Sequence, residues 1–549
     1  MRVVLLEELE NLLRDEDVEV RREAVEKLRE LEDKALAIML LIKAIEDPDW
    51  RVRKTSVEIL LEHRGRAVTK GLIDALYLED NAGARNSAIE ALTKLGAEAT
   101  DYLIEAFESP NRNVRKFIID ILGDVGDRKA LLLILNAIKD EDDNVRVSAV
   151  EHLGRIRDAS VTDALISILE SGDLWLGYPA ADALGMIGEP KAINVLLSAL
   201  LKKPLREPAL RALGRIGDIS TLPFLTSYLR DPSKVVREET LKALENLFHK
   251  GFGERVAAEL RDVFKEGVID VLLPFAVSDR KEIKVAAIIL LGLLRDEKAI
   301  APLLEMSSEK EFQEDITKAL VFIGTAKPES LIPFFNSDDP YQKRTICDIA
   351  GKVRSIVFFT PLIECLKDGD GHVRAMAALS LSEIGDLRAV SYIKPLLLNE
   401  YEDVQETAVK SLARLKEGLS IDEVINGLSD KNEVLRKNSA TLLGLLKEAE
   451  AIGPLGFAMK DSNVSVRMAV VDALGLIGGP DAVNLLLLAI TDEVSDIRRA
   501  AAIALGKFGG DEVVDSLILL LQDRDDCVRA AAAESLGIIK NEKAIEPLI

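Results

Sequence analysis

Few side chains in this sequence could support nucleophilic, acid–base or metal chemistry. The histidines and cysteines are His63, His152, His249, His372, Cys347, Cys365 and Cys527. No HExxH motif, Walker glycine loop, Gly-x-Ser-x-Gly motif or close Cys-His cluster occurs. Cys365 and His372 are seven residues apart, as a lone pair across a turn. We therefore predict a non-enzymatic protein with no catalytic residue, no metal site and no cofactor.

A sequence motif recurs along the chain with a period of about 31 residues, most clearly at 461–479 and 492–510. Each copy is anchored on an arginine or a residue that replaces it, here called the Arg position. Fifteen of the sixteen intervals between copies are 29 to 32 residues. The copies fall at Arg21, Arg53, Arg85, Arg115, Arg146, Gly177, Arg206, Arg237, Lys284, Gln313, Lys343, Arg374, Gln405, Arg436, Arg467, Arg498 and Arg529. A constant period predicts a tandem array of one structural unit.

Each repeat reads as two helices joined by an acidic turn. In the second helix, small residues stand three and six positions after the Arg position and Leu stands seven after, which forms one apolar face. Glycine eight positions after is costly in a helix unless another backbone comes close. Glycine eleven positions after predicts the helix end, at Gly126, Gly188, Gly217, Gly324, Gly385, Gly478 and Gly509.

A unit this short cannot bury enough surface to fold alone, so the units must stack. We predict an all-α fold, an α-α superhelix of about seventeen two-helix repeats with a period of about 31 residues. Repeats one to eight would occupy 1–245 and repeats nine to seventeen 270–543. Residues 544–549 would begin an eighteenth repeat, and because that repeat is incomplete and lacks a polar cap, we expect an N-terminal fragment of a longer protein.

The pairing of a turn Asp with Val-Arg, then Ala, Ala-Leu-Gly and Ile-Gly, resembles HEAT repeats over essentially the whole chain. The most similar variant is the HEAT-like repeat of the phycobilisome-lyase type. This resemblance implies that the turn Asp and the second-helix Arg form a structural ladder of hydrogen bonds between successive repeats. The matching residues are Asp47, Arg53, Asp140, Arg146, Asp231, Arg237, Asp368, Arg374, Asp430, Arg436, Asp461, Arg467, Asp492, Arg498, Asp523 and Arg529.

Repeats six and seven depart from the pattern. Gly177 stands at the Arg position of repeat six, with Trp175 and Tyr178 beside it, and prolines flank Arg206 in repeat seven. A structural explanation is that Trp175 fills the space of the missing arginine. The functional explanation is that Trp175 and Tyr178 contact a partner, since exposed aromatic residues often anchor protein interfaces.

A second departure is the single 47-residue interval between repeats eight and nine. The excess is about one helix, and residues 246–269 are interpreted as an extra-helix insertion or a hinge. Within it, Val256, Leu260, Val263 and Phe264 have helical spacing and predict one buried stripe.

Acidic residues recur five positions after the Arg position in the first six repeats. They are Glu26, Glu58, Glu90, Asp120, Glu151 and Asp182. This row could bind a partner with a basic surface or segment. Alternatively, these residues form ordinary pairs four positions apart with Arg22, Lys54 and Lys116, each contributing a few tenths of a kcal/mol.

Composition narrows the class of partner. The net charge is −23, with 94 acidic and 71 basic residues, so nucleic acid is disfavoured as the main ligand. Apolar stretches are too short for membrane insertion. The cysteines are isolated and odd in number, which is typical of small buried residues in a reducing, cytoplasmic protein. His152 stands at a small core position and is interpreted as a packed histidine.

These observations favour a protein-protein interaction scaffold or regulatory adaptor that binds a protein partner along the concave face of the array. The alternative, which depends on the repeat resemblance, is bilin-lyase-like chromophore attachment or a related protein-modification factor. No residue can be assigned to that chemistry. The oligomeric state is left open.

Overall fold

The computed structural model describes residues 9–549, apart from the side chain of Glu266, and these residues form helices and no β-strand. They belong to two compact units, which divide between Ala287 and Ile288 within the second helix of repeat nine. Each unit is a stack of two-helix repeats. The predicted all-α fold of the α-α superhelix class is therefore confirmed.

The second helices are the longer and more regular layer, and most of them span 14 residues. Asp or Asn commonly caps them from four positions before the Arg position, as at Asp49, where the carboxylate accepts from the backbone N–H of Arg51. In chain order they run Val18–Lys27, Trp50–His63, Ala82–Leu95, Arg112–Val125, Asp143–Ile156, Leu174–Ile187, Arg206–Ile216, Lys234–Leu247, Lys281–Leu294, Gln313–Ala326, Pro340–Val353, Gly371–Ile384, Glu402–Arg414, Glu433–Leu446, Val464–Ile477, Ser495–Leu505 and Asp526–Ile539.

The first helices are shorter, and several begin with a 3-10 turn. For repeat one, the described part of this helix covers residues 9–12. From repeat two onward they run Lys34–Ala44, Gly65–Ala75, Ala97–Ala106, Leu131–Ala137, Thr162–Ser171, Ile193–Ala199, Leu222–Ser227, Val268–Ala276, Ile300–Glu305, the 3-10 helix Pro328–Asn336, Phe359–Cys365, Ala389–Ile393, Ile421–Gly427, Ile452–Ala458, Pro480–Ala489, Asp511–Leu520 and Ile545–Leu548.

Most glycines eight positions after the Arg position lie where successive second helices touch. A Cβ atom on Gly185 would come within 2.5 Å of the Ala212 Cα, and one on Gly444 within 2.6 Å of the Ala473 Cα. Those alanines stand six positions after the next Arg position, so the two small-residue patterns meet. The prediction that a second backbone approaches these glycines is confirmed.

The glycines eleven positions after the Arg position have two different roles. Gly126, Gly188 and Gly217 end their helices in the left-handed region, with φ of 67°, 81° and 60°. Gly324 lies inside the helix Gln313–Ala326, so the predicted helix stop is wrong there. A Cβ atom on Gly324 would approach Leu331 Cδ1 to 2.5 Å, so the glycine allows this leucine to pack closely. The predicted helix stop is also wrong for Gly509, because that helix already ends at Leu505.

The insert forms the extra helix Gly253–Phe264 within the first compact unit. Val256, Leu260 and Phe264 are buried, as expected from their spacing of four. Val263 is 41% exposed, so its assignment to the buried stripe is wrong. It lies at the edge of that stripe and faces solvent. The role of the insert as a hinge stays a prediction.

Within residues 9–549, no helix combines the length and the apolar character that crossing a bilayer requires.

Candidate functional site

Two features that are separate in the sequence meet in one groove. It lies between the second helices of repeats five and six, is open to solvent, and has a volume of about 540 Å³. Its lining includes residues from both the acidic row and the aromatic pair. They are Val147, Glu151, Arg155, Leu174, Trp175, Tyr178, Pro179, Asp182, Ala183 and Met186.

Trp175 is the most exposed aromatic side chain of this groove, at 65%, and Tyr178 is 37% exposed. The expectation that Trp175 fills the space of the missing arginine is wrong. A Cβ atom on the buried Gly177 would instead meet the side chains of Leu205, at 3.4 Å, and Leu169, at 3.6 Å. The Trp175 side chain lies at the surface rather than in the position of the missing side chain.

A charged network links this groove to repeat seven. The Tyr178 hydroxyl lies 3.0 Å from Glu207 Oε1, and Glu207 also pairs with Arg211. Arg211 Nη1 donates to Asp182 at 2.8 Å, and Arg215 adds a contact at 3.4 Å. Burial raises the pKa of the Asp182 carboxyl above its usual value, although both arginines oppose this change. Asp182 is therefore engaged within the protein.

Asp120 is also engaged, at the contact between repeats four and five. Its carboxylate accepts from Lys116 Nζ at 2.7 Å and from the Ser148 hydroxyl, and it lies 3.3 Å from His152 Nε2. Burial opposes ionisation, but the hydrogen bonds from His152, Lys116 and Ser148 outweigh it and lower the pKa of Asp120 to about 2. This residue joins two repeats.

The packed role predicted for His152 is confirmed, since this side chain is only 4% exposed. A Cβ atom on Gly123 would overlap its imidazole, at 2.0 Å from Cγ. The absence of a side chain at Gly123 therefore makes room for a histidine where most other repeats have alanine or serine.

The remaining acidic residues of the row are more accessible. Glu58 and Glu90 are exposed and have lysine neighbours, Lys54 at 3.9 Å and Lys94 at 2.6 Å. Glu151 is exposed and forms no ion pair with any residue of the described range 9–549. It is therefore the carboxylate of the groove best able to meet an external cation.

Glu26 is half-buried, and its contact is with Arg29 at 3.6 Å. The predicted ion pair between Arg22 and Glu26 is not formed. Arg22 Nε instead contacts Glu19 at 2.8 Å. A pair three positions apart replaces the expected pair four positions apart.

The ladder residues bond across successive repeats at several levels. The guanidinium of each participating arginine spans from its own turn to the next one: Arg498 Nη1 donates to the Asp492 carbonyl at 2.9 Å, and Nε donates to Asp523 at 2.8 Å. The cross-repeat pairs are Arg21–Asp47, Arg115–Asp140, Arg206–Asp231, Lys343–Asp368, Arg436–Asp461, Arg467–Asp492 and Arg498–Asp523.

Other ladder residues do not form the implied cross-repeat pair with aspartate. The next turn lacks the aspartate after Arg53, Arg146, Arg237 and Arg374. The Arg position before Asp430 lacks a cation. Arg374 contacts Asn399 and Glu400 instead, and Arg146 pairs with Asp143 of its own helix. Gln405 holds the Arg position of the repeat before Asp430 and supplies no cation. The Asp430 carboxylate accepts from the backbone N–H of Asn432 in its own turn. The remaining members, Arg53, Arg237 and Arg529, donate to carbonyls of their own turns.

Two successive gaps in the ladder coincide with the groove. Arg146 faces Ser171 in the next turn rather than an aspartate, and repeat six has Gly177 at the Arg position. The groove between repeats five and six thus lies where the ladder is interrupted. In the sequence, this groove is indicated by the loss of the repeated arginine at Gly177, next to Trp175 and Tyr178.

The cysteines differ from expectation. Cys347 and Cys365 are buried neighbours, not isolated residues, because the helices Pro340–Val353 and Phe359–Cys365 bring them together. A hydrogen bond to Cys365 and burial raise the pKa of the Cys347 thiol well above its usual value. Cys527 is exposed, so its predicted burial is wrong.

Stacked two-helix repeats with small residues at the helix contacts define an α-solenoid. A family model described as HEAT repeats matches residues 6–93, 100–175, 131–208, 328–413, 421–505 and 485–549. These ranges cover more than half of the chain, which therefore belongs to the HEAT-repeat family. The match is to HEAT repeats as a class and does not distinguish the phycobilisome-lyase type.

Several solved structures are similar to this chain over most of its length. Importin beta in an ammonium sulfate condition is 13% identical, with 98% of this chain and 89% of that chain covered and a TM-score of 0.44. Kap121p is 17% identical, with 100% and 69% covered and a TM-score of 0.46. Kap95p bound to RanGDP is 13% identical, with 99% and 93% covered and a TM-score of 0.43. No curated protein matches the sequence.

Proposed function

We propose that this chain is a non-catalytic protein-interaction scaffold, and that the groove of repeats five and six holds a basic segment of its partner. The observation that supports this proposal is the meeting of Trp175, Tyr178 and Glu151 around one open groove. Large exposed aromatic residues are enriched among the groups that dominate binding energy at protein interfaces.

A lysine or arginine side chain suits this groove chemically. Its aliphatic stem would pack against Met186 and Leu174, while its cationic end would meet the Trp175 ring and the Glu151 carboxylate. Cation–π attraction to an indole contributes about 0.5–1 kcal/mol at an exposed site and more when water is excluded. An anionic partner segment would be repelled by Glu151 and gain no contact with the indole face.

Glu90 and Glu58 extend the acidic row into earlier repeats. Packed helices lie about 8–10 Å apart, which is the length of about three residues of an extended chain. A partner segment that crosses the second helices would therefore match the row with basic residues about three positions apart. Asp120 and Asp182 are held by internal donors and contribute less to this contact.

The experiment is a titration of the full chain with a labelled peptide that has arginine at every third position, followed by fluorescence anisotropy. An equivalent peptide with glutamate in place of arginine is the control ligand. We expect saturable binding of the arginine peptide only, weakened about tenfold by Trp175→Ala or Glu151→Lys. The matched control variants are Trp50→Ala, whose indole is 60% exposed, and Glu105→Lys, which changes an exposed first-helix residue.

Equal affinity of the Trp175 and Trp50 variants for the arginine peptide would contradict the assignment of this groove. In parallel, mass spectrometry of proteins captured from lysate by the wild type and by Trp175→Ala would identify the natural partner. Bilin-lyase-like attachment rests on the repeat resemblance alone. Covalent uptake of an added bilin, read from its absorbance, would replace the scaffold proposal.

A further inference from the structure

A second exposed surface lies on the first helices of repeats fifteen to seventeen. Phe457, Leu488 and Leu519 are 82%, 65% and 74% exposed, and exposed apolar residues are informative when they line up on one surface. They are spaced 31 residues apart, so they occupy the same position in three successive helices. We call these three residues the apolar row.

A row of carboxylates runs parallel to the apolar row. Glu450, Asp481 and Glu512 each precede a member of the apolar row by seven residues, and all three are exposed. Seven residues are two helical turns, or about 10 Å along the helix axis. In the part of the chain that the structure describes, none of the three forms an ion pair. We call these residues the acidic edge.

An open groove lies between the first helices of repeats sixteen and seventeen, and its lining includes one member of the acidic edge. Its volume is about 560 Å³, and it would admit side chains of a bound segment. The lining contains Leu487, next to the apolar row, and Glu512 of the acidic edge. The complete lining is Gly479, Pro480, Val483, Asn484, Leu487, Lys507, Phe508, Gly509, Gly510, Asp511, Glu512 and Val513.

We propose that this face docks an amphipathic helix of a partner protein, with basic residues along the flank that meets the acidic edge. Such a helix would lie across the three first helices. Neighbouring helices are about 8–10 Å apart, and seven residues of an α-helix rise about 10.5 Å. Apolar residues seven positions apart in the partner would therefore meet Phe457, Leu488 and Leu519 in turn.

Charge selects this occupant over a second copy of the chain. Each copy has a net charge of −23, so self-association through this face would bring together two strongly anionic proteins. A basic helix would instead neutralise Glu450, Asp481 and Glu512 while covering the apolar row. Lys or Arg side chains on a helix flank reach about as far as the separation between the two rows.

The test uses two synthetic helical peptides of about 21 residues with leucines seven positions apart. One has lysines along one flank, and the other has glutamates at the same positions. Binding to the full chain is measured by fluorescence anisotropy. We expect the lysine peptide alone to bind, with affinity about tenfold lower for Leu488→Ser. Leu132→Ser is the matched control, because Leu132 is a first-helix residue with 68% exposure.

Combined replacement of Glu450, Asp481 and Glu512 by glutamine should remove most of the preference for lysine over glutamate. Failure of the lysine peptide to bind, or equal affinity for the Leu488 and Leu132 variants, would overturn the proposal. So would sedimentation showing a dimer that Leu488→Ser dissociates, since the occupant would then be a second copy. The loss of affinity caused by Leu488→Ser should be the same in a Trp175→Ala background, which separates this test from that of the groove of repeats five and six.

Discussion

Gly154 of repeat five lies against the backbone of Ala183 in repeat six, where a Cβ atom on the glycine would come within 2.7 Å of the alanine Cα. Ala183 also lines the candidate groove. The contact that sets the spacing of these two helices therefore also sets the width of the groove between them.

Replacement of Gly154 by alanine should destabilise the array. Its Cβ would strike backbone, which cannot move without separating the helices, so we expect a loss of about 1–3 kcal/mol. Gly537 is the matched control, because it holds the equivalent position in repeat seventeen and nothing lies within 4 Å of a Cβ there. Gly537→Ala should stabilise its helix by up to about 1 kcal/mol. Urea unfolding followed by circular dichroism compares the two variants, and equal effects would contradict the role of the close contact.

Asp120 should stabilise the fold in a pH-dependent manner. Its pKa is about 2 in the folded protein and 3.8 as the ordinary value, so the contribution is complete above the ordinary value. It is lost as the pH falls through the folded pKa. Asp120→Asn should therefore lower the free energy of unfolding by about 1–2 kcal/mol at neutral pH, with the difference shrinking below about pH 4.

The measurement for Asp120 is urea unfolding at neutral pH, about pH 4.5 and about pH 3. The control is Glu90→Gln, because Glu90 is an exposed member of the same row, paired only with Lys94. Its replacement should change stability by less than about 0.5 kcal/mol. A difference in unfolding free energy between the wild type and Asp120→Asn that grows as the pH falls would contradict this prediction.

Asp523 should be more important for local stability than Asp430, although both occupy the same turn position. Asp523 accepts two hydrogen bonds from the buried Arg498 of the preceding repeat. Asp430 has no such partner, because the preceding repeat has Gln405 at its Arg position. Asp523→Ala would leave the guanidinium without its carboxylate, and we expect a loss of about 2–4 kcal/mol. Hydrogen exchange of the segments around each turn measures the effect. Similar protection of the backbone amides in Asp523→Ala and Asp430→Ala would show that the cross-repeat bond contributes little.

The three cysteines should react in two kinetic classes. Cys527 is exposed, while Cys347 and Cys365 are buried against each other. A maleimide reagent should therefore modify one thiol per chain quickly and the others only after unfolding. Cys527→Ser should remove the fast phase, as measured by intact-mass spectrometry. Rapid modification of a second thiol in the native protein would contradict the buried pairing.

The period of the sequence was sufficient to predict the repeats, their two helices and the small-residue contacts, because each depends on residues close in the chain. Predictions that required knowing which neighbour fills a space were less accurate. Trp175 lies at the surface rather than in place of the missing arginine, and Val263 borders the buried stripe rather than joining it. Side-chain packing between repeats is decided by residues about one period away, which a local pattern does not contain.

By itself, the sequence determined the HEAT-repeat fold, the acidic surface and the absence of recognisable catalytic motifs. The tertiary structure alone decided which charged residues are accessible. Six acidic residues hold the same position in the sequence, yet Asp120 and Asp182 are held by neighbouring repeats while Glu151 faces an open groove beside Trp175. It also revealed the row of Phe457, Leu488 and Leu519, because a regular apolar pattern looks the same whether the side chain is buried or exposed. Exposure depends on the stacking of whole helices, which follows from the packing of the array rather than from any single repeat.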